Sequence, residues 1–414
     1  MKSALMILLV LLTMSIQGQV PSSLFLARDS SFRTSLAIML AEGDAGIGSP
    51  ALNRRFFDRM LWGGELKDWH TDQLLESMKE VSRAGFGASG RIHFYGMSDT
   101  LFGLSDWGMH TAVGTAWHAQ AGFSRGLFEA IFKGNARHRG DTLVLDPFSG
   151  QYQSWQKFGF GLFHKKTFSS AMLSLVSGQD YRRLEVRDAG LYTSPLADSL
   201  SLHYAGEYTR SDTANRGWGA GNGIGLALDL EYNRPLATGD GFISVSLQDF
   251  GWVAWNKSTQ HMTFDSLTTW EGYSTEQLFG SDGLPAIEPV DSIHTTTRSG
   301  VRWQMLPFRV QVRMMKYIAR STLLDVGMTL QPGHYAVPMV QAGLSHFLSD
   351  RMLVTGRLGI GGYGTFSAGA ECQWMPGGRW LIRAGTHNVA GWINEDARSM
   401  DAYFSLACFF NRNS

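Results

Sequence analysis

From about Arg91 to Phe410 the chain alternates apolar and polar residues in one stretch after another. In Ile224, Leu226, Leu228, Leu230 and Tyr232 every even position is apolar, while Gly225, Ala227, Asp229, Glu231 and Asn233 fill the odd ones. Successive side chains of a strand point to opposite faces, so this period builds one greasy and one polar surface. Repeated along an exported chain, the pattern predicts an all-β fold, a transmembrane antiparallel β-barrel. Only a closed sheet satisfies every backbone N–H and C=O inside a bilayer, with apolar faces toward lipid and polar faces toward a lumen.

The export signal is read at the N-terminus. Met1, Lys2 and the apolar run Ala4–Met14 have the charged and hydrophobic regions of a secretory signal, with cleavage expected near Gly18/Gln19. A membrane anchor helix needs roughly 20 apolar residues, more than this run supplies. No Cys follows it, which disfavours a lipoprotein, and no later apolar run is long enough to span as a helix. The chain balances 36 basic against 36 acidic side chains, so nothing attracts nucleic acid or an anionic surface. Its 48 glycines accompany 12% aromatics, a mixture that suits curved sheet rather than disorder. The two cysteines, Cys372 and Cys408, are expected as free thiols on the lipid face, because an intervening strand would hold them roughly 10 Å apart.

Three regions are predicted: a signal peptide at 1–18, an N-terminal plug or rim segment at 19–84, and the barrel at 85–414. In the plug, a short helix is expected with Thr71 as N-cap, Leu74, Leu75, Met78 and Val81 on one face, and Gly85 beyond its end. The barrel holds about 14 strands, an even number as in bacterial single-chain barrels. The best-patterned outward sets are Phe308, Val310, Val312, Met314 and Met352, Val354, Leu358, Ile360. The lumen-facing candidates are Asp229, Glu231, Arg309, Gln311, Arg313 and Arg357. Glu207–Gly223 and Asn256–Asp291 read as extracellular loops. Met305-Leu306-Pro307, Ser349-Asp350 and Pro376-Gly377-Gly378 read as periplasmic turns. Trp252, Trp255, Trp303, Trp374 and Trp380 fall near strand ends, where interfacial girdles place aromatics.

Two strings suggest chemistry and fail on context. Gly122-Phe123-Ser124-Arg125-Gly126 fits the nucleophile elbow of a hydrolase, followed by a helix over Leu127–Lys133. The elbow needs a buried, nearly all-apolar parallel strand before it, and here the strand alternates. Ser124 is therefore read as a helix cap, with Gly134 ending the helix. Gly359-Ile360-Gly361-Gly362-Tyr363-Gly364 matches a dinucleotide fingerprint, but an alternating stretch follows it instead of a helix, which makes it a hairpin turn. The 12 histidines are scattered without ligand spacing. No catalytic residue, cofactor or metal is expected.

The segment Gly43–Leu52 resembles the plug motif of FadL-like long-chain fatty-acid transporter barrels, with Ser49-Pro50-Ala51 where that family has Asn-Pro-Ala. Gly223–Trp255 and Leu127–Asn135 resemble an uncharacterised family of Gram-negative outer-membrane barrels related to FadL-like and PorV-like proteins. The resemblance implies a cell outer-membrane location, a 14-strand barrel with a plug, and passage or binding of small hydrophobic molecules. The alternative it implies is a PorV-like, secretion-associated or scaffold barrel that engages a protein partner. The face assignment is directly testable. Val310→Arg should lower stability by roughly 2–4 kcal/mol if the site lies near the bilayer midplane. Arg309→Ala should leave the denaturant midpoint of the vesicle-embedded protein close to wild type, and the reverse pattern would invert the faces.

Overall fold

The structure, a computed structural model, describes residues 35–97, 100–271, 290–332, 337–363 and 365–411. The expected signal peptide at 1–18 and the start of the plug segment, 19–34, lie outside them. In chain order the first elements are β1 (Ser35–Gly48), α1 (Arg54–Trp62), α2 (Asp68–Ser77), β2 (Val81–Gly96), β3 (Trp107–Ser124), α3 (Arg125–Lys133), β4 (Thr142–Val144) and β5 (Phe148–His164). Next come β6 (Ser170–Thr193), β7 (Ser199–Arg210), β8 (Gly223–Pro235), β9 (Gly241–Trp255), β10 (Gln260–Glu271), β11 (Val290–Ser299) and β12 (Arg302–Met305). The remainder is β13 (Arg309–Ala319), β14 (Thr322–Leu330), β15 (Val337–Ser349), β16 (Met352–Gly362), β17 (Thr365–Trp374), β18 (Trp380–Thr386), α4 (Ala390–Ile393) and β19 (Ser399–Asn411).

The alternating stretches become wall. β1, β2, β3, β5, β6, β8 and β9 pair in that order, all antiparallel. β9 then pairs with β13, and β13 to β19 follow one another around the ring. β19 returns to β1, from Ser35↔Asn411 to Gly48↔Ser399, and closes a fourteen-stranded barrel. Among the described residues no helix is long and apolar enough to cross a membrane. The outer face carries exposed Val113, Phe158, Leu175, Leu226, Ile243, Leu344, Leu358 and Ile360. Tight connections gather at one end, the turn end, as at 320–321 and 350–351. The helices gather at the other, the rim end.

β6 has 24 residues, and at about 3.3 Å each it runs roughly 80 Å, far beyond a hydrocarbon core of about 30 Å. Its first half pairs with β8 in the barrel, while its second half diverges to pair with β7. β7 pairs with β10 and β10 with β11, so a sheet extension stands past the rim end. Much of the loop expected at Asn256–Asp291 is therefore strand, and 272–289 lies outside the described residues. Met305-Leu306-Pro307 is likewise not a periplasmic turn. It joins β12 to β13 within one descending strand near the rim end, where Leu306 N–H donates to Gly251 O at 2.9 Å.

Opposite that junction, β8 and β9 shift register between Leu228 and Leu230, and Asp249 takes a left-handed φ of 58°. Such a bulge inserts one residue and exchanges the faces beyond it. Gly251 must be glycine here, since a Cβ would stand 2.0 Å from Leu226 O. The exchange corrects the girdle assignment of Trp255, which is 1% exposed and stacks on Tyr181 at 5.2 Å. Trp374 and Trp380 at the turn end, and Trp252 and Trp303 toward the rim end, are exposed on the outer face. Cys372 and Cys408 are free thiols, and Cys408 is buried between its sheet neighbours Trp380 and Met39.

The segment expected as a plug at 19–84 divides differently. Ser35–Gly48 and Val81–Ala84 belong to the wall, and the chain between them forms the rim. The predicted helix is Asp68–Ser77. Lys67 holds the N-cap position, Thr71 lies within the first turn and donates to Asp68 O at 3.0 Å, and Gly85 sits in β2 opposite Gly48. The rim helices pack Phe56, Leu74, Leu75 and Met78 against Phe128 of α3, with Phe56 and Phe132 rings 5.5 Å apart. Asn53 caps α1 by accepting from Phe56 N–H at 3.2 Å, and its Oδ1 lies 3.0 Å from His70 Nε2. Burial holds the His70 pKa below its ordinary 6.5, and the Arg55 charge lowers it further. A neutral imidazole thus stabilises the rim fully above the unfolded pKa of about 6.5, and that stability is lost progressively as pH falls from there through the lowered folded pKa. Hydrogen-exchange protection factors over Asn53–Ser77, taken relative to the intrinsic rate at each pH, should fall between pH 7.5 and 5, and His70→Gln should flatten the change. Equal protection at both pH values would rule the switch out.

Candidate functional site

Inward positions fall into layers along the barrel axis. Near the turn end, Ile38, Leu40, Tyr95, Phe163, Leu381 and Phe409 pack into one apolar cluster, with Phe168, Met375 and Ala407. On the facing strands Phe242, Met315, Leu323 and Leu353 form a second. Together they make an apolar floor. Above it the same strands turn charged: Leu40 is followed on its face by Glu42 and Asp44, Tyr95 is preceded by His93 and Arg91, and Met315 by Arg313.

Charges in such a low-dielectric interior persist when paired and hydrogen-bonded. Arg313 grips Asp325 through two bonds of 2.6 Å, and Arg357 Nε donates to the same carboxylate at 2.8 Å. Arg357 Nη1 also donates to Glu371 at 2.9 Å, as does Arg383 Nη2. The Tyr403 hydroxyl donates to Glu371 at 2.8 Å, and the Arg383 guanidinium lies over its ring. This chain of ion pairs crosses β13, β14, β16, β17 and β18, fixing neighbours around the wall. Across the lumen, Lys157 Nζ bonds Asp249 at 2.5 Å and Asp229 at 2.7 Å, and Arg91 bonds Asp249. The Asp249 bulge thus places one carboxylate between two cations, and Asp229 accepts its N–H at 2.7 Å. A third group joins Glu42, His93 and His110 through contacts of 3.2 and 3.0 Å.

All six lumen-facing candidates lie on one internal cavity of about 290 Å³: Asp229, Glu231, Arg309, Gln311, Arg313 and Arg357. Arg309 donates to Gln331 at 3.1 Å and approaches Asp44 at 3.4 Å; Gln311 donates to Thr329 at 3.3 Å; Glu231 accepts from Asn233 at 3.2 Å. The sequence reading did not single out Glu42, Asp44, Arg91, Lys157, Asp249, Asp325, Glu371, Arg383 or Tyr403. Parity with Gly159 and Gly161 would have placed Lys157 inward, but the bulge that presents Asp249 leaves no mark in the pattern.

Ser49-Pro50-Ala51 lies outside this cavity, at the corner where β1 leaves the wall. Ser49 Oγ donates to Arg83 O at 2.6 Å and accepts from Ala51 and Leu52 N–H at 3.1 and 3.0 Å. Gly48 lets the corner pass close to a ring, since a Cβ there would lie 2.5 Å from Tyr363. Ser124 caps α3, accepting from Leu127 N–H at 3.0 Å and donating to Leu145 O at 2.6 Å. Its hydroxyl is committed to backbone. No group of metal-ligating residues occurs among the described residues.

Fold and site define a fourteen-stranded transmembrane barrel with an ion-paired lumen. A model of a family of unknown function, DUF5723, matches residues 31–345, and the chain belongs to that family. No curated protein matches it. The Ralstonia pickettii toluene transporter TbuX is similar at 10% identity, over 91% of this chain and 90% of that one, with a TM-score of 0.42. The Pseudomonas putida toluene transporter TodX is similar at 8% identity, over 95% and 94%, with a TM-score of 0.41. A Pseudomonas aeruginosa FadL homologue is similar at 9% identity, over 94% and 92%, with a TM-score of 0.38.

The chain of ion pairs from Arg313 to Arg383 forms a charged belt above the floor, and it makes a stability prediction. Asp325 is fully buried and serves two guanidinium groups, so Asp325→Ala leaves Arg313 without its carboxylate and Arg357 with Glu371 alone, and should cost about 3–5 kcal/mol. The urea midpoint for refolding into vesicles measures this. A shift within error of zero would mean that the lumen is wet enough to hydrate those arginines.

Proposed function

We propose that the barrel sits in the outer membrane, turn end toward the periplasm, and passes small hydrophobic molecules without chemistry on them. Orientation follows the rule that short turns face the periplasm and longer connections face outward. The observation that carries the reading is the apolar floor beneath the polar cavity. A constriction of aliphatic and aromatic side chains gates by dewetting, so it obstructs ions and hydrated solutes more than apolar ones. Met60, Leu61 and Trp62, exposed at the rim, add an apolar landing surface on the outward side. Flux into proteoliposomes tests this. A fluorescent fatty acid should enter while potassium conductance stays near background. The double variant Phe163→Ala/Phe409→Ala should raise conductance severalfold. Absence of solute flux in both proteins would sink the proposal.

One observation favours a second reading, a scaffold that engages a protein partner, including a secretion component. Among the described residues β11 pairs with β10 alone, leaving a strand edge on the extension. An open edge is a template for an added strand. A silent barrel that retains a partner through β11 would support that role.

A further inference from the structure

The outer wall carries an apolar recess near the rim end. An apolar groove of about 770 Å³ runs along β3, β5, β6 and β8, walled by Val113, Phe158, Leu175, Ile224 and Val301. Ile224 is 72% exposed. No carboxylate lines this groove; its charged residues are Lys157, engaged inside the barrel, and the exposed Lys257. Toward the rim end, on β3, β5 and β6, lies a polar pocket that includes Trp117, Tyr152, Arg182, Arg216 and Trp218. The Trp117 and Trp218 rings stand 6.1 Å apart.

Groove and pocket are tied together. The Trp218 carbonyl accepts from Gln156 Nε2 at 3.0 Å on the groove side and from Gln179 Nε2 on the pocket side. Ser211 N–H to Tyr181 O and Asn222 N–H to Gly178 O, both 2.8 Å, pin the loop carrying Trp218 to β6. Within the pocket Asp180 is matched by Arg182 at 2.9 Å, and Asp212 caps its own loop through Ala214 N–H at 2.9 Å. Arg216 is exposed and fixed through Nε to Thr213 O at 2.5 Å. Lys257 on the groove and Arg216 on the pocket thus outnumber the one carboxylate, Asp212, left after Asp180 pairs with Arg182, and tryptophans mark the boundary between the two.

We infer that this wall binds one anionic, phosphate-bearing lipid of the rim-end leaflet. An acyl chain fills the groove and the phosphate meets Lys257 and Arg216. The site depends on membrane location and not on passage through the lumen, so a silent lumen leaves it intact.

Native mass spectrometry of the detergent-purified barrel tests it, with phosphatidylglycerol and phosphatidylcholine of matched chains as probes. Phosphatidylglycerol, whose phosphate charge no choline offsets, should be retained about tenfold better, a difference of about 1.4 kcal/mol. Lys257→Gln/Arg216→Gln should abolish that preference, and Ile224→Trp should weaken both lipids by filling the slot. Val245→Trp, on another part of the wall, should do neither, and heat-modifiable mobility confirms folding in each variant. Equal retention of the two lipids by wild type would overturn the site. So would a preference that survives the charge variants. Displacement of phosphatidylglycerol by equimolar glycerol 3-phosphate would reassign the site to a soluble phosphate.

Discussion

Every feature of this barrel depends on the seam between β1 and β19. A bilayer offers no water to an unpaired N–H or C=O, so an open sheet edge there costs several kcal/mol per group. The first described strand and the last must therefore meet, and they pair along their whole length. Closure fixes which side chains face inward. Those side chains then meet neighbours in a confined space, where a charge must find an opposite charge. The ion-paired belt is thus a consequence of the seam. Were β1 a loose plug, β2 and β19 would each present an edge, and Glu42 and Asp44 would lose their places beside His93, Ser89 and Arg309.

Most of the wall is legible in the sequence because lipid outside and polar groups inside enforce period two. The parts that were not legible have specific causes. After Ser35, β1 runs Leu36-Ala37-Ile38-Met39-Leu40-Ala41, apolar at every position. Its inward residues there belong to the floor, so both faces are greasy and alternation disappears. The first half of β2, through Ala84-Gly85-Phe86-Gly87-Ala88-Ser89-Gly90, is built of small residues except for Phe86 and carries little face signal. Trp255 was misplaced because a single inserted residue at Asp249 reverses parity without altering composition. The inward parity of Arg309, Gln311, Arg313 and Arg357 could be read. Their partners could not, since Arg313 meets Asp325 only once β13 and β14 take the register Arg313↔Gly327.

The layers differ in how easily they can rearrange. Separating a buried charge from its partner costs about 3–5 kcal/mol, and in the belt one carboxylate often serves two cations. Turning an aromatic side chain off its rotamer costs about 0.5–1.5 kcal/mol. Phe163, Phe409 and Leu381 are held by packing, so motion of the floor disturbs dispersion contacts rather than ion pairs. A conformational change that admits a solute is therefore cheapest in the floor and most expensive in the belt. By these energies the belt is the stiffer layer of the interior and the apolar floor below it the softer one. A solute that brings its own charge would have to compete with the belt for partners, whereas an apolar one could cross it without displacing an ion pair. That asymmetry ties the layering to the proposed selectivity: carboxylates already held by cations offer a charged solute few partners, and a greasy floor has no polar bonds to break.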